Sequence, residues 1–245
     1  MQIIESRLLK QFPEIIFGFS TKNGPKNNSR YNFNLSLTVG DDPALVIKNR
    51  EIFYNELGLT TDKVAIQKQT HSDIITIVEK PGMIGESDAI ITAKAGIGLA
   101  VSSADCVPSF IYDKKKKLVS GIHSGWRGTQ RKILLKTILE LKKQFNSDPI
   151  DLFVFVGPSI SQKNYEVGED VASQFDQKYS LRDGGKIYLD VLQANIDMLH
   201  QAGIPDNQIE VSPLCSFEEK DLLHSYRREG DLSGRALGII AMKDN

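Results

Sequence analysis

Short runs rich in β-branched and aromatic residues recur through the first half of the chain, separated by breaks containing Gly, Asn or Lys. EIIFGFST (14–21), VAIQKQ (64–69), DIITIVE (73–79), DAIITA (88–93), IGLAVSS (97–103), VPSFIYD (107–113) and KLVSGIH (117–123) each read as a strand. LFVFVGPSI (152–160) reads as a buried strand ending in a Gly-Pro turn, and two more strands are expected near IEVSPL and GRALGIIAM. Elsewhere the spacing becomes helical. DPALVIKNREIFYNELG has Asp42 to cap it, Pro43 in its first turn and Gly58 just past its end. TQRKILLKTILELKKQF puts Leu134, Ile138, Leu141 and Phe145 on one stripe, with Thr129 as the expected cap after Gly128. LDVLQANIDMLHQAG closes at Gly203, and a further helix is expected around VASQFDQKY. The polar stretch KNGPKNNSRYNFN (22–34) is the expected flexible loop. With no repeat, low-complexity tract or linker-like shift in composition, residues 1–245 read as a single α/β domain.

Composition narrows the function classes. The 245 residues suffice for a sizeable core, and a net charge of −1 gives no basis for broad electrostatic binding to nucleic acid or to an acidic membrane. The basic run Lys114–Lys117 falls between two strands and reads as a solvated hairpin turn. No apolar stretch approaches a membrane span, and MQIIESRLLKQFPEII lacks the order of a signal peptide. Two cysteines, Cys106 and Cys215, are too few for a disulfide framework. A cytoplasmic protein with reduced thiols is expected, free to use them for metal binding or nucleophilic work.

Candidate chemistry gathers at strand ends and turns: QTHSD with His71, SADC with Asp105 and Cys106, GIHSGWRGT with His123 and Arg127, and HSYRREG with Arg227 and Arg228. Two readings of the first three segments stay open. His71, Cys106 and His123 supply the three ligands of an open zinc site, although their separation in sequence means that only the fold can bring them together. Alternatively Cys106 is a thiolate nucleophile with His123 as its base, oriented by Asp105 or a carbonyl. Each residue also has an ordinary structural role open to it, as a satisfied core imidazole or an inert buried thiol. The SGWRGT turn, with Arg127 and a following helix start, suits an anion; its bland alternative is a tight turn with Trp126 as a core plug and Arg127 in an ion pair. SYRRE, read as a strand, points at most one of Arg227 and Arg228 into a given site. Cys215 is expected to be a buried structural thiol, and His200 to lie on a helix surface.

With these residues collected, the sequence resembles the bacterial laccase-domain family, the YfiH-like proteins also described as purine nucleoside phosphorylases. The resemblance runs through FSTKNG, NFNLSLTVGDD, QTHS, DAIIT, SSADCVPSFIYD, GIHSGWRGT, VGPSISQKNYEVGEDV, Cys215 and HSYRREGDLSGR. It implies a layered α-β-β-α sandwich with mixed sheets, and a metal site of His71, Cys106 and His123. It also implies phosphorolysis of adenosine, inosine, guanosine and methylthioadenosine, with deamination of adenosine. An older description of the family is copper-dependent polyphenol oxidase. Lys22 stands where the family usually has Arg, which weakens a bidentate phosphate contact there; QTHS and Cys215-Ser216 also depart from the usual pattern.

A multi-copper oxidase needs many more histidines than the four present, whereas one open zinc suits deamination. Zinc is therefore the expected cofactor, with copper as the alternative. Purine nucleosides and phosphate are the expected partners of a monomer or weak homo-oligomer. Arg127, the helix start after Gly128, Lys22 and Arg30 are expected to gather phosphate. Asn34, Tyr165, Glu166 and Arg227 are expected to contact substrate, and Asp105 to shuttle a proton or orient a ligand. A Cys106–His123 amidase and a non-catalytic metal- or nucleoside-binding protein are the competing readings.

Overall fold

A computed structural model describes residues 1–25 and 29–244, and in it the strand-like runs assemble into two six-stranded mixed sheets. In chain order the first elements are β1 (Ile3–Ile4), β2 (Ile15–Ser20), α1 (Pro43–Glu56), β3 (Val64–Lys68), β4 (Ile75–Ile77), β5 (Gly82–Glu86) and β6 (Ala89–Thr92). Then follow β7 (Gly98–Ser103), β8 (Val107–Asp113), β9 (Leu118–Ser124), α2 (Trp126–Gln130), α3 (Ile133–Phe145) and β10 (Leu152–Val156). The chain continues through β11 (Glu166–Val167), α4 (Glu169–Ala172), β12 (Ser180–Asp183), β13 (Lys186–Leu189), α5 (Val191–Gln201), β14 (Ile209–Val211), α6 (Tyr226–Glu229) and β15 (Ala236–Met242). The first sheet has the order β1-β2-β15-β7-β3-β5 and the second β14-β10-β8-β9-β6-β4, with a small β11-β13-β12 sheet beside them.

Strand periodicity sorts the core into layers. Along β8, Phe110 and Tyr112 enter the core between the sheets, where they meet Phe19, Leu99, Val101 and Ile240 of the first sheet. Val107 and Ile111 face the opposite way, onto Leu134, Ile138 and Leu141 of α3 and Met198 and Leu199 of α5. The outer face of the first sheet, Ala100, Leu237, Ile239 and Ala241, is covered by Phe53 and Tyr54 of α1. The layers are therefore α-β-β-α, as the resemblance implied. Sheets that are covered on both faces read as near-continuous apolar runs, which is why these strands were legible. The sheets approach so closely at Gly238 that a Cβ there would lie 2.7 Å from the Phe19 ring and closer still to Phe110.

Several local expectations hold. Asp42 accepts from the Ala44 amide at 2.9 Å to cap α1, and Gly58 follows with a φ of +70°. The lysine run is the β8–β9 hairpin turn: Asp113 pairs with Leu118, and its carboxylate accepts from the Lys115 and Lys116 amides. Others are corrected. The helix expected from Thr129 is two helices, because Lys132 adopts φ +59° and breaks the chain before the apolar stripe begins. Thr129 is no cap; Gly125 precedes α2, and the Thr129 hydroxyl accepts from Asn195 at 3.0 Å. VASQFDQKY forms only the end of one helical turn and a 3₁₀ turn, the latter started by Asp176 bonding the Lys178 amide. SYRRE is helical, with Ser225 capping the Arg228 amide at 3.2 Å. Part of the expected flexible loop, residues 26–28, lies outside the described residues; beyond it Tyr31, Phe33 and Asn34 are buried.

Candidate metal centre

The parallel pairing of β3 with β7, and the antiparallel pairing of β8 and β9, bring three loops to one end of the two sheets. His71 follows β3, Cys106 opens β8, and His123 lies near the end of β9 opposite Pro108. Ligand atoms of all three lie within 4.8 Å of one another. Cys106 Sγ is 3.8 Å from His71 Nε2, and the two imidazole rings meet edge to face at 4.9 Å. Around a tetrahedral zinc, with Zn–S about 2.3 Å and Zn–N about 2.0 Å, such atoms sit about 3.5 Å apart. The donor set and its spacing therefore fit a metal ion with little adjustment. His123 is buried, Cys106 half-buried and His71 exposed, so the cluster opens to solvent on the His71 side.

The cluster owes its shape to a residue that the sequence reading did not single out. Asp88, fully buried at the start of β6, accepts from His123 Nδ1 at 2.8 Å. The same carboxylate accepts from the amides of Thr70, His71 and Ser72 and from the Ser72 hydroxyl. Burial alone would raise its pKa, but the His123 and Ser72 donors outweigh that and hold it at about 2. With Nδ1 committed to Asp88, only Nε2 of His123 is left for a metal or the thiol, the arrangement by which a carboxylate fixes a ligand imidazole. The one visible sign of this role in the sequence is a carboxylate directly before four buried strand residues. Gly125 meets a second requirement: a Cβ there would lie 2.5 Å from His71 Cδ2 and 3.2 Å from Cys106 Sγ.

Electrostatics couple the ligands. Burial raises the Cys106 thiol, but the neighbouring His123 and His71 pull it down to about 6. Burial lowers His123, yet the Cys106 and Asp88 charges carry it to about 9. Each charge favours the other, thiolate beside imidazolium.

Asp105 was expected to shuttle a proton or orient a ligand, and its bonds fit the second of these, at Cys106. It does not touch His123 in place of Asp88. Its carboxylate accepts from the Ser216 hydroxyl at 2.6 Å and the Arg227 amide at 2.7 Å, and its own carbonyl accepts from the Ile160 amide. These bonds hold it at φ +90°, a strained conformation that aims Cys106 at the histidines.

The remaining candidates divide. Arg227 stacks over the Tyr165 ring at 5.1 Å and donates to the Glu166 carbonyl at 2.7 Å. Tyr165 is half-buried, its phenol raised to about 12 by burial and by the charges of Cys106 and Asp105 against the guanidiniums of Arg227 and Arg127. Arg127 stacks on Trp126 at 4.2 Å and has none of the ion pairs found among the described residues. The helix start beside it lies at Trp126, ahead of Gly128. Lys22 is 3.8 Å from Glu229, and Arg30 stacks on Tyr31. One residue is turned to structural work. Asn34 is fully buried, its amide bonded to Ser36 and Asp41 and its oxygen to the Ser36 and Arg235 amides. The Glu166 carboxylate pairs with Lys186 at 2.9 Å. Arg228 clamps the carbonyls of Ser216, Phe217 and Leu223, so one of the two arginines is structural, as expected. Cys215 is buried; exposed His200 pairs with Asp206, and buried His224 bonds the Phe33 carbonyl, all apart from the cluster.

Residues 16–243 match the family described as multi-copper polyphenol oxidoreductase laccase. The chain belongs to that family. Within it, a purine nucleoside phosphorylase from Bacteroides thetaiotaomicron is 31% identical, the match covering 96% of this chain and 94% of the relative. Adenosine deaminase RL5, from an unknown prokaryotic organism, is 32% identical over 94% of this chain and 95% of its own. The crystal structure of Bacillus licheniformis hypothetical protein YfiH superposes with a TM-score of 0.90 at 30% identity, over 96% and 95% of the two chains. The group formed by His71, Cys106 and His123 could bind a metal, and no helix among the described residues is long and apolar enough to cross a membrane.

Two outcomes follow from this geometry. Asp88→Asn keeps the shape but loses the charge behind His123, and is expected to weaken metal affinity by about tenfold to a hundredfold in chelator competition; unchanged affinity would contradict the role of Asp88. In metal-free protein, alkylation of the Cys106 peptide should reach half its maximal rate near pH 6. Protonation of the thiolate slows the reaction below that pH, and His123→Ala should move the midpoint upward. A midpoint near that of a free thiol, about 8.5, would show that the histidines do not act on the sulfur.

Proposed function

We propose that this protein is a zinc-dependent purine nucleoside phosphorylase that also deaminates adenosine, acting as a single domain in the cytoplasm. The observation that carries the reading is the three-ligand His71, Cys106 and His123 cluster, open to solvent on the His71 side and with Tyr165 near enough to feel the Cys106 charge. Relatives named for both activities over nearly the whole chain support it. Zinc is preferred over copper because the two remaining histidines, His200 and His224, are engaged elsewhere and cannot complete a multi-copper cluster. When bound in such a three-ligand site, zinc supplies a Lewis acid that activates water near neutral pH.

The chain's own residues carry the rest. Asp88 keeps His123 in the tautomer and orientation that presents Nε2 to the ligand position. Tyr165, stacked under Arg227, offers a flat half-buried surface for a purine, and its phenol stays protonated as a donor. Arg127 and Arg227, without carboxylate partners among the described residues, attract phosphate to the site, with Lys22 and Arg30 from the segment after β2. Asp105 holds the Cys106 turn. Its two oxygens are already occupied, which favours a positioning role over proton transfer. Asn34 is left out of the substrate contacts because its bonding capacity is used within the fold, whereas the Glu166 carboxylate, in an exposed pair with Lys186, keeps an oxygen for substrate.

A specific observation favours a second reading. Cys106 as thiolate, His123 as its partner and Asp88 behind His123 form a nucleophile–base–orienter series, which suits a hydrolase of amide-like bonds. Metal content separates the two, because only the first requires about one zinc per chain.

Incubation of the purified protein with adenosine, with and without phosphate, tests the proposal. Adenine should form only with phosphate, inosine should form without it, and His71→Ala should abolish both products together with the bound zinc. No turnover under either condition would overturn the phosphorylase and deaminase reading.

A further inference from the structure

Arg235 was not among the residues singled out from sequence, where it reads as the entry to the last strand. The register of that strand puts it at the site. Ala236 of β15 pairs with Ser103 of β7, and the Ser103 hydroxyl donates to the Cys106 carbonyl at 2.7 Å. One step earlier on β15, Arg235 is therefore level with the turn that carries Asp105 and Cys106. On the other side, β15 pairs with β2 through Gly238 and Phe19, so the same strand end also approaches Lys22.

The surroundings of Arg235 are unusual for a half-buried cation. Its Nη1 donates to the carbonyls of Ser233 and Gly234, at 2.7 and 3.0 Å, and its backbone amide to Asn34. The guanidinium stacks on Tyr226 at 5.3 Å. No carboxylate forms an ion pair with it among the described residues, and its Nε and Nη2 have no hydrogen-bond partner there. The nearby carboxylates are otherwise engaged: Glu229 by Arg228 at 2.8 Å, and Asp105 by Ser216 and Arg227. Burial lowers the pKa of this guanidinium, and the charges of Cys106 and Asp105 partly restore it. A half-desolvated guanidinium, fixed by two carbonyls and with one edge open, is prepared for an oxyanion.

We propose that Arg235 is the inner anchor of the phosphate subsite, gripping the anion with its Nε–Nη2 edge while Arg127 and Arg227 close over it from the more exposed side. The assignment rests on the phosphorolysis reading for its choice of phosphate as ligand. It deepens that reading by adding, at the start of β15, an inner contact that the other arginines do not supply. Lys22 then need not supply the bidentate contact that a lysine cannot make.

Calorimetric titration of the protein, as purified, with inorganic phosphate alone tests the assignment without any nucleoside. Arg235→Gln should weaken phosphate binding by about tenfold to a hundredfold, the range for a hydrogen bond to a charged group. Arg235→Lys should fall between that variant and the unsubstituted protein. Arg182→Gln, which removes an exposed arginine paired with Glu169, should leave binding unchanged. Phenylglyoxal labelling of the unsubstituted protein, read by peptide mass, should show Arg235 protected by phosphate, and this decides the matter should Arg235→Gln fail to fold. Undiminished binding in a folded Arg235→Gln, absence of phosphate binding, or equal labelling of Arg235 with and without phosphate would overturn the assignment. Phosphate binding through Arg235 in a protein that does not turn over nucleosides would leave the assignment standing and sink the phosphorylase reading.

Discussion

A single buried carboxylate holds this end of the molecule together. Asp88 reaches across from the second sheet to the three amides that follow β3 of the first, and on its other side fixes His123 through Nδ1. The backbone reinforces the link, since the His123 amide donates to the Asp88 carbonyl at 2.7 Å. An isolated carboxylate at full burial would be costly. Here four donors from the 70–72 turn and one imidazole satisfy it, and in doing so they set the distance between His71 and His123. The two candidate ligands come from different sheets, and Asp88 is the brace common to both.

The Cys106 turn has an equivalent support. Asp105 adopts a conformation that L residues seldom take, stabilised by bonds to Ser216, Arg227 and Ile160. Through it the C-terminal segment from Ser216 to Arg235 is tied to the thiol. That tie explains why a site built on β3, β8 and β9 also carries arginines from far along the chain. Negative charge at the site is either a metal ligand or already bonded, whereas Arg127, Arg227 and Arg235 have no ion pair with a carboxylate among the described residues. The imbalance favours an anionic reactant.

Much of this was legible in the sequence because the sheets are covered on both faces, leaving long apolar runs with clear ends. The α1 cap at Asp42 and the lysine hairpin were equally plain, being local. The resemblance to the laccase-domain family marked His71, Cys106 and His123 as the metal ligands, and the fold brings them together. What was hidden depended on long-range contacts. Asp88 looks like an ordinary residue before a strand, and its role appears only when the turn after β3 folds over it. Asn34 was expected to contact substrate, yet its bonds run to Ser36, Asp41 and the amide of Arg235. Arg235 itself was masked by the apolar strand that follows. The break at Lys132 follows from the apolar stripe, which begins only at Ile133, leaving residues 131 and 132 without an anchor in the helix.

The central claim is that two imidazoles and one thiolate, held by Asp88 and Asp105, form one metal site. X-ray absorption at the metal edge of the protein as purified tests it most directly. One sulfur at about 2.3 Å and two imidazole nitrogens at about 2.0 Å, with at least one lighter ligand completing the shell, are the predicted result. A metal without a sulfur neighbour, or one with only oxygen ligands, would contradict it.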